Sequence, residues 1–520
     1  MSPLRNEVCI FVALLIILSP LSLFAQEGVD YGDIVVTRWA DPTTKPTSYQ
    51  EYISSRTFAE NLNPELIYRG LTTQGGPMMI VINQLLYWQI DSSFQAFKED
   101  LEREGYEPAV YAVLNNNDPV ALKEIIVEEW ENNSIEGVIF IGDLPFAWYE
   151  MDNPSPWGHE EFPIDLYFMD LDGNWVDSDS NGLFDEHYGY NYKADIWVGR
   201  LHAHNLTYHG ADEVSLMERY FEKNHLYRTG QERLDYKALA FIDDDWHTSG
   251  FQAAVPAAYP DCDDVTHPDS TTAPNYRYRI RESTDKRYEH ILVCAHSSPL
   301  LHQFQRGHIY SYFYAHQIDT TVVQAHFYNL FACSNSRYSE NNYMGGWYVF
   351  QTDYGLLSVG STKTGSMLNF LDFYVPLGWG MTYGEAFEYW AVRNMEESRP
   401  WFYGMTLIGD PTLKVSDFYV TGVAEAETTP LPTQLVLHQN YPNPFNSQTT
   451  IEYVLPRFGH VNLGVFNLTG QRVETLLDCE QSAGLKRINW NAGDLTSGLY
   501  FIKLNVDGKI SKTRGVALMK

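Results

Sequence analysis

Two apolar runs in the second half of the chain each end in a side chain capable of chemistry: His290-Ile-Leu-Val-Cys-Ala-His296-Ser-Ser-Pro299 and Phe327-Tyr-Asn-Leu-Phe-Ala-Cys333-Ser-Asn-Ser336. Unbroken apolar runs of this kind read as buried parallel strands. An imidazole and a thiol would then leave one sheet side by side at its carboxyl edge, where open α/β sheets place their active sites. That is the layout of a Cys-His hydrolase. A thiol with a pKa of about 8.5 is only slightly ionised at neutral pH, and a neighbouring imidazolium lowers that value. Cys333 would attack a carbonyl, and His296 would give a proton to the leaving group and later take one from water. The backbone N–H of Cys333 and one near Ser297 would hold the oxyanion. Two rival readings stand beside this one. Strand-end Cys and His residues are often plain buried groups, and a disulfide between Cys294 and Cys333 is within reach if the strands are neighbours. Cys294 shares a face with His296 but lies deeper in its run, which favours a structural role.

Two acidic clusters carry further chemistry. Asp243, Asp244 and Asp245 leave the apolar run Lys237 to Ile242, and at an edge near the dyad they would pair with a Lys or Arg side chain of a substrate. A solvated acidic turn is the alternative. Asp177, Asp179 and Asn181 place oxygen ligands at every second position ahead of Gly182, as in the first half of a calcium loop. The twelfth position of that loop is Tyr188 rather than Glu, so Asp185 or Glu186 would complete the shell. Such an ion would be structural; the catalysis described above needs no cofactor.

The elements that must position these residues are legible as patterns. From Met78 to Asp143 strand and helix alternate: an apolar run to Leu86, helical spacing through Phe94, Phe97 and Leu101, an extended Pro108 to Leu114, and an Asp118-Pro119 helix start. Leu122, Ile125, Ile126 and Trp130 give that helix its apolar face, and Gly137 to Gly142 forms a third buried strand. After a Tyr- and Asp-rich middle segment the order recurs through Lys237 to Ile242, the His296 and Cys333 runs, Gly355 to Gly360, a helix around Glu385 to Met395, and Thr406 to Val415. This predicts an α/β fold with parallel sheets flanked by helices in two halves. Beyond a Pro- and Glu-containing linker the period changes to two, at Ile451, Tyr453 and Leu455 and at Val461, Leu463 and Val465, which predicts a small all-β sandwich.

Compartment follows from the first residues. Arg5, the apolar stretch Ile10 to Leu18, Pro20 and Ala25 before Gln26 read as a secretory signal, too short for a membrane span. No later stretch approaches a transmembrane segment, so the mature chain is expected to be exported. Cys9 leaves with the signal, and the few remaining cysteines are too sparse for a disulfide scaffold. The formal charge of -32 argues against nucleic acid as a partner.

The tail resembles the C-terminal sorting domain of the type IX secretion system, through Asn440-Tyr-Pro-Asn-Pro-Phe-Asn446, Val461 to Gly470, Ser497-Gly-Leu-Tyr-Phe501 and the terminal Lys520. The resemblance implies passage through that machinery, then surface attachment or release. Residues 78 to 415 resemble the gingipain family of cysteine peptidases, with its caspase-like fold. The carrying pieces are Asp195-Ile-Trp-Val-Gly-Arg200, the runs ending in His296 and in Ala332-Cys333, Gly355 to Ser361, Gly384-Glu385-Ala386 and Gly409-Asp410-Pro411. In such peptidases the Cys is the nucleophile and the His the proton carrier, roles that fall on Cys333 and His296. The family's catalytic His is normally followed by Gly, whereas Ser297 stands here, and its Cβ narrows the backbone angles open to an oxyanion donor.

The resulting expectation is a signal peptide at 1–25, an N-terminal extension or pro-segment at 26–77, a first α/β subdomain with the acidic loop at 78–230, a catalytic caspase-like subdomain at 231–418, a linker at 419–434 and a sorting β-sandwich at 435–520. The expected function is a secreted or surface cysteine endopeptidase acting on protein or peptide substrates through a thioester acyl-enzyme. A catalytically silent member of the same fold, serving as a surface binding or adhesion module, is the alternative that Ser297 and the Cys294–Cys333 bridge motivate.

Overall fold

The computed structural model describes residues 39–519 apart from 71–75, 154–157, 189–192, 282–286, 396–399, 417–434 and short stretches of the tail at 439, 441, 456–458, 482–483, 494 and 507–509. The signal peptide with Cys9, the 419–434 linker and Lys520 lie outside the described residues.

The buried runs assemble into one eleven-stranded sheet, in the order Glu65–Arg69, Tyr106–Val113, Gly76–Asn83, Gly137–Ile141, Trp197–Leu201, Met405–Gly409, Leu357–Ser361, Phe327–Phe331, His290–Cys294, Ala238–Ile242 and Cys262–Val265. Apart from the antiparallel edge strand Glu65–Arg69, each half is parallel inside, and the halves meet through Met405–Gly409, which runs parallel to Trp197–Leu201 and antiparallel to Leu357–Ser361. The central strands have almost no solvent exposure, which is why their sequences are unbroken apolar runs rather than alternating ones. The expected two-halved α/β architecture is therefore present, as one continuous sheet. Where strands approach closely only glycine fits: a Cβ on Gly137 would lie 2.0 Å from the Trp197 ring.

Several boundaries differ from the sequence pattern for local reasons. The run from Met78 to Leu86 is split, because the Asn83 side chain accepts from the N–H groups of Leu85 and Leu86 and starts the helix Gln84–Arg103. Asp118 caps the helix Pro119–Asn133 as its sequence predicts, accepting from Val120 and Ala121. Part of the expected N-terminal extension is built into the sheet, since Glu65–Arg69 pairs antiparallel with Tyr106–Val113. His296 does not end the long strand. It begins the short strand His296–Ser298, which pairs with Leu301–Arg306 and then Ile309–Tyr314 in a separate antiparallel sheet.

The halves are tied by a buried polar knot. Arg228, at the end of the helix Glu213–Arg228, donates to Asp410 at 2.5 Å and to Thr412, while Asn224 donates to the same carboxylate at 2.9 Å. The tail forms two small antiparallel sheets, Val436–Leu437 with Gln448–Leu455 and Gly484–Asn491, and Arg472–Gln481, Gly459–Phe466, Gly498–Val506 and Ile510–Leu518. They enclose their own core, including Ile451, Tyr453, Val461, Leu463, Trp490 and Leu504. No helix among the described residues is long and apolar enough to cross a membrane.

Candidate active site

The strands His290–Cys294 and Phe327–Phe331 are direct parallel neighbours, with Cys294 opposite Phe331. Two residues beyond each strand end stand His296 and Cys333, and both line one narrow cleft at the carboxyl edge. Trp246, Phe331, Trp401, Gly365 and Ser366 close its walls so tightly that it has no room for a water molecule. His296 is 1% and Cys333 4% exposed.

The imidazole is fixed by a carboxylate: Asp245 Oδ2 lies 2.6 Å from His296 Nε2. Trp246 packs its ring against the imidazole at 4.7 Å between centroids and against Phe331 at 5.2 Å. Its Nε1–H is buried with no hydrogen-bond partner among the described residues. The Cys333 sulfur accepts from the Gly365 N–H at 3.5 Å. Burial pushes the Cys333 thiol up to about 11, opposed by the Gly365 N–H, raised further by Glu160 and lowered by Lys363. The last two form a buried pair, 3.9 Å apart, in which Glu160 also accepts from the Thr364 N–H and hydroxyl.

Cys262, Cys294 and Cys333 are free thiols, so the Cys294–Cys333 bridge does not form. Burial holds the Cys294 thiol well above its ordinary value, with Asp243 adding to the effect. Ser297 is buried, and its φ lies outside the left-handed region, so the backbone here does not demand glycine. Its hydroxyl donates to the Leu301 carbonyl at 2.7 Å, and its own carbonyl accepts from the Ala40 N–H at 3.1 Å.

The acidic run divides three ways. Asp243 is fully buried, accepts from the Gln305 N–H, and is pushed by burial up to about 8. Asp244 accepts from the Gly307 N–H at 3.1 Å, and Asp245 serves His296. Sequence reasoning named Asp245 but not this contact. The signal that could have found it is its place one residue inside the 3-10 turn Asp244–Trp246, directly past the strand beside His290–Cys294.

The acidic loop lies between the paired strands Asn174–Val176 and Glu186–Tyr188. Asp177 accepts from the N–H groups of Asn181 and Gly182, Asp179 accepts from Asn181, and Asp185 accepts from Ser178. Oxygen atoms of Glu150, Asp179 and Asp185 come within 4.8 Å of one another, as do those of Asp170, Asp172 and Asp195. Glu150 was not visible from the spacing because it arrives from the distant hairpin Trp148–Asn153 with Gly158–Pro163.

A cysteine and a histidine at one sheet edge, the histidine held by a carboxylate, define a cysteine-hydrolase type of site. Residues 72–416 match peptidase family C25, and residues 439–517 match the secretion system C-terminal sorting domain. The chain belongs to peptidase family C25, a family of cysteine peptidases, and its tail marks it for export. No curated protein matches it. Among solved structures it is similar to dimeric latent PorU from Porphyromonas gingivalis, at 11% identity and a TM-score of 0.30, covering 85% of this chain and 42% of that one. The chain thus spans less than half the length of that relative. A β-glucosidase from Listeria innocua aligns at 8% identity and a TM-score of 0.15, covering 55% of this chain and 45% of that one.

Proposed function

We propose that the protein is an exported cysteine endopeptidase in which Cys333 attacks the scissile carbonyl and His296 carries the proton. The observation that carries this reading is the cleft that His296 and Cys333 share, with Asp245 on Nε2 of His296. With Nε2 donating to Asp245, proton exchange with Cys333 falls to Nδ1. The Cys333 thiolate forms the tetrahedral adduct, its oxyanion faces the backbone N–H groups of Cys333 and Ser297, and His296 protonates the leaving amine to leave a thioester. Water deprotonated by His296 then releases the acid.

The burial of Cys333 and its raised pKa favour, as a second reading, a closed or silent site. One support for closure by the chain itself is the segment before residue 58, which is part of the expected N-terminal extension or pro-segment at 26–77. Ala40 donates to the Ser297 carbonyl, Thr47 bonds Glu340, and Arg56 pairs with Asp143 at 2.5 Å, so the segment touches loops beside both members of the dyad. Labelling with iodoacetamide separates the readings. Selective alkylation of Cys333, slowed when His296→Ala is introduced, together with peptide hydrolysis, is the expected result. No alkylation under native conditions, with hydrolysis absent, would sink the peptidase reading in favour of the silent module.

Protein or peptide substrates and the type IX secretion machinery are the partners this reading assigns. A structural calcium ion is proposed at the acidic loop, held by Asp179 and Asp185 with Glu150. Crowded carboxylates repel one another without a cation, and a melting temperature that calcium leaves unchanged would remove the idea.

A further inference from the structure

A substrate carbonyl within reach of Cys333 puts the side chain on its acyl side at the mouth of the cavity, so the cavity walls decide which residue is accepted. Those walls are Trp246, Phe331 and Trp401, with Ala295 and Ala332 between them. Trp401 donates its Nε1–H to the Ser366 carbonyl at 2.8 Å and walls a cleft with no room for a water molecule, so a side chain can enter only when that wall moves. Gly365, at φ +128°, keeps the passage beside Cys333 narrow, because a Cβ there would lie 2.3 Å from the Trp401 carbonyl oxygen.

The charged groups around this space are already engaged. Asp245 holds His296, Asp243 is buried on Gln305, and Glu160 is taken by Thr364 and by Lys363. Lys363 is buried and paired with Glu160, whose opposite effect on Cys333 is the larger, so the pair leaves no unpartnered carboxylate to receive an entering cation. An Arg or Lys side chain would therefore lose its water and gain only the faces of two indoles. Attraction to an aromatic face is weaker than the desolvation of an unpaired charge, whereas an apolar side chain loses nothing by entering.

We infer that this peptidase selects an uncharged apolar residue, aromatic or large aliphatic, on the acyl side of the scissile bond, and that Trp246 and Trp401 set that choice. The inference rests on the reading of Cys333 as nucleophile. The test uses the full chain and peptides that differ only at that position, carrying Phe, Leu, Arg, Lys or Asp, with iodoacetamide alkylation of Cys333 measured in parallel. The expected result is a kcat/KM for Phe or Leu at least roughly ten-fold above Arg and Lys. Trp401→Ala should reduce that ratio, and Trp401→Phe, which keeps an aromatic wall and guards against a folding defect, should preserve it. Preference for Arg or Lys with Cys333 still alkylated would overturn the specificity and leave the nucleophile standing. Absence of both hydrolysis and alkylation would overturn both.

Discussion

On the proposed mechanism, the contact between Asp245 and His296 makes the imidazole a directed base rather than a free ring. Replacing Asp245 with Asn keeps the size and removes the charge that stabilises an imidazolium. The expected outcome is a fall in kcat of roughly 10²-fold or more with little change in KM, read by steady-state kinetics; an equal fall in an His296→Ala background would show the effect does not pass through the imidazole. Asp243, two residues away, does a different job. Its carboxyl is pushed from 3.8 up to about 8, first by burial and then by Asp245 and Asp244, against the N–H groups of Gln305 and Asp244. The folded state holds this proton to a higher pH than the unfolded chain does. Its contribution is therefore complete below about pH 4 and drains away as the pH rises through about 8. Asp195 and Glu289, each raised to about 7, slope the same way, so the useful readout is the difference between proteins. Asp243→Asn should show a shallower loss of stability between pH 4 and 8 in denaturant titrations, and identical slopes would refute the assignment. Three adjacent aspartates look alike in a sequence; only the turn that aims one at the Gly307 N–H, one at an imidazole and one at the core separates them.

Elements were most legible where one physical rule governs a long segment. Unbroken apolar runs gave His290–Cys294 and Phe327–Phe331 nearly to the residue, because a strand buried on both faces has no reason to alternate. Short strands such as Asn174–Val176 and His296–Ser298 were not legible, since three residues carry no period and their partners are chosen by the surrounding fold. The knot between Arg228 and Asp410 was equally hidden. The Gly409-Asp410-Pro411 turn is conspicuous in the sequence, but its partner lies on a helix of the other half. Both side chains are almost fully buried, so removing one leaves an uncompensated charge. Arg228→Met should lower the unfolding free energy by about 3–5 kcal/mol, and Arg228→Met with Asp410→Leu should recover much of it. A single variant as stable as the parent would mean that the pair is not coupled to the joining of the halves.

At the scale of the whole chain, residues 40 to 56 run along the carboxyl edge of the sheet, across the loops that carry the site. Thr47 donates its N–H and hydroxyl to the two oxygens of Glu340 at 2.8 Å each and accepts from Arg337 at 2.7 Å; Tyr49 donates its N–H to Glu161 at 2.6 Å. Arg337 and Glu340 follow Cys333 in sequence, and Glu161 adjoins the Glu160 whose charge reaches its sulfur. A hydrogen bond to a charged group contributes about 1.5–3 kcal/mol, so these few contacts are strong enough to keep the segment down yet weak enough to be released together. Glu340→Ala with Glu161→Ala should loosen it, raising the rate of Cys333 alkylation several-fold while the melting temperature falls by only a few degrees. The composition of the segment gave no hint of this placement, because its contacts are to residues 100 to 300 positions away. If alkylation stays at the parental rate while melting falls, the segment braces the sheet edge and does not restrain access to the thiol. The closure around Cys333 must then come from the cleft's own walls, Trp246, Phe331, Trp401, Gly365 and Ser366.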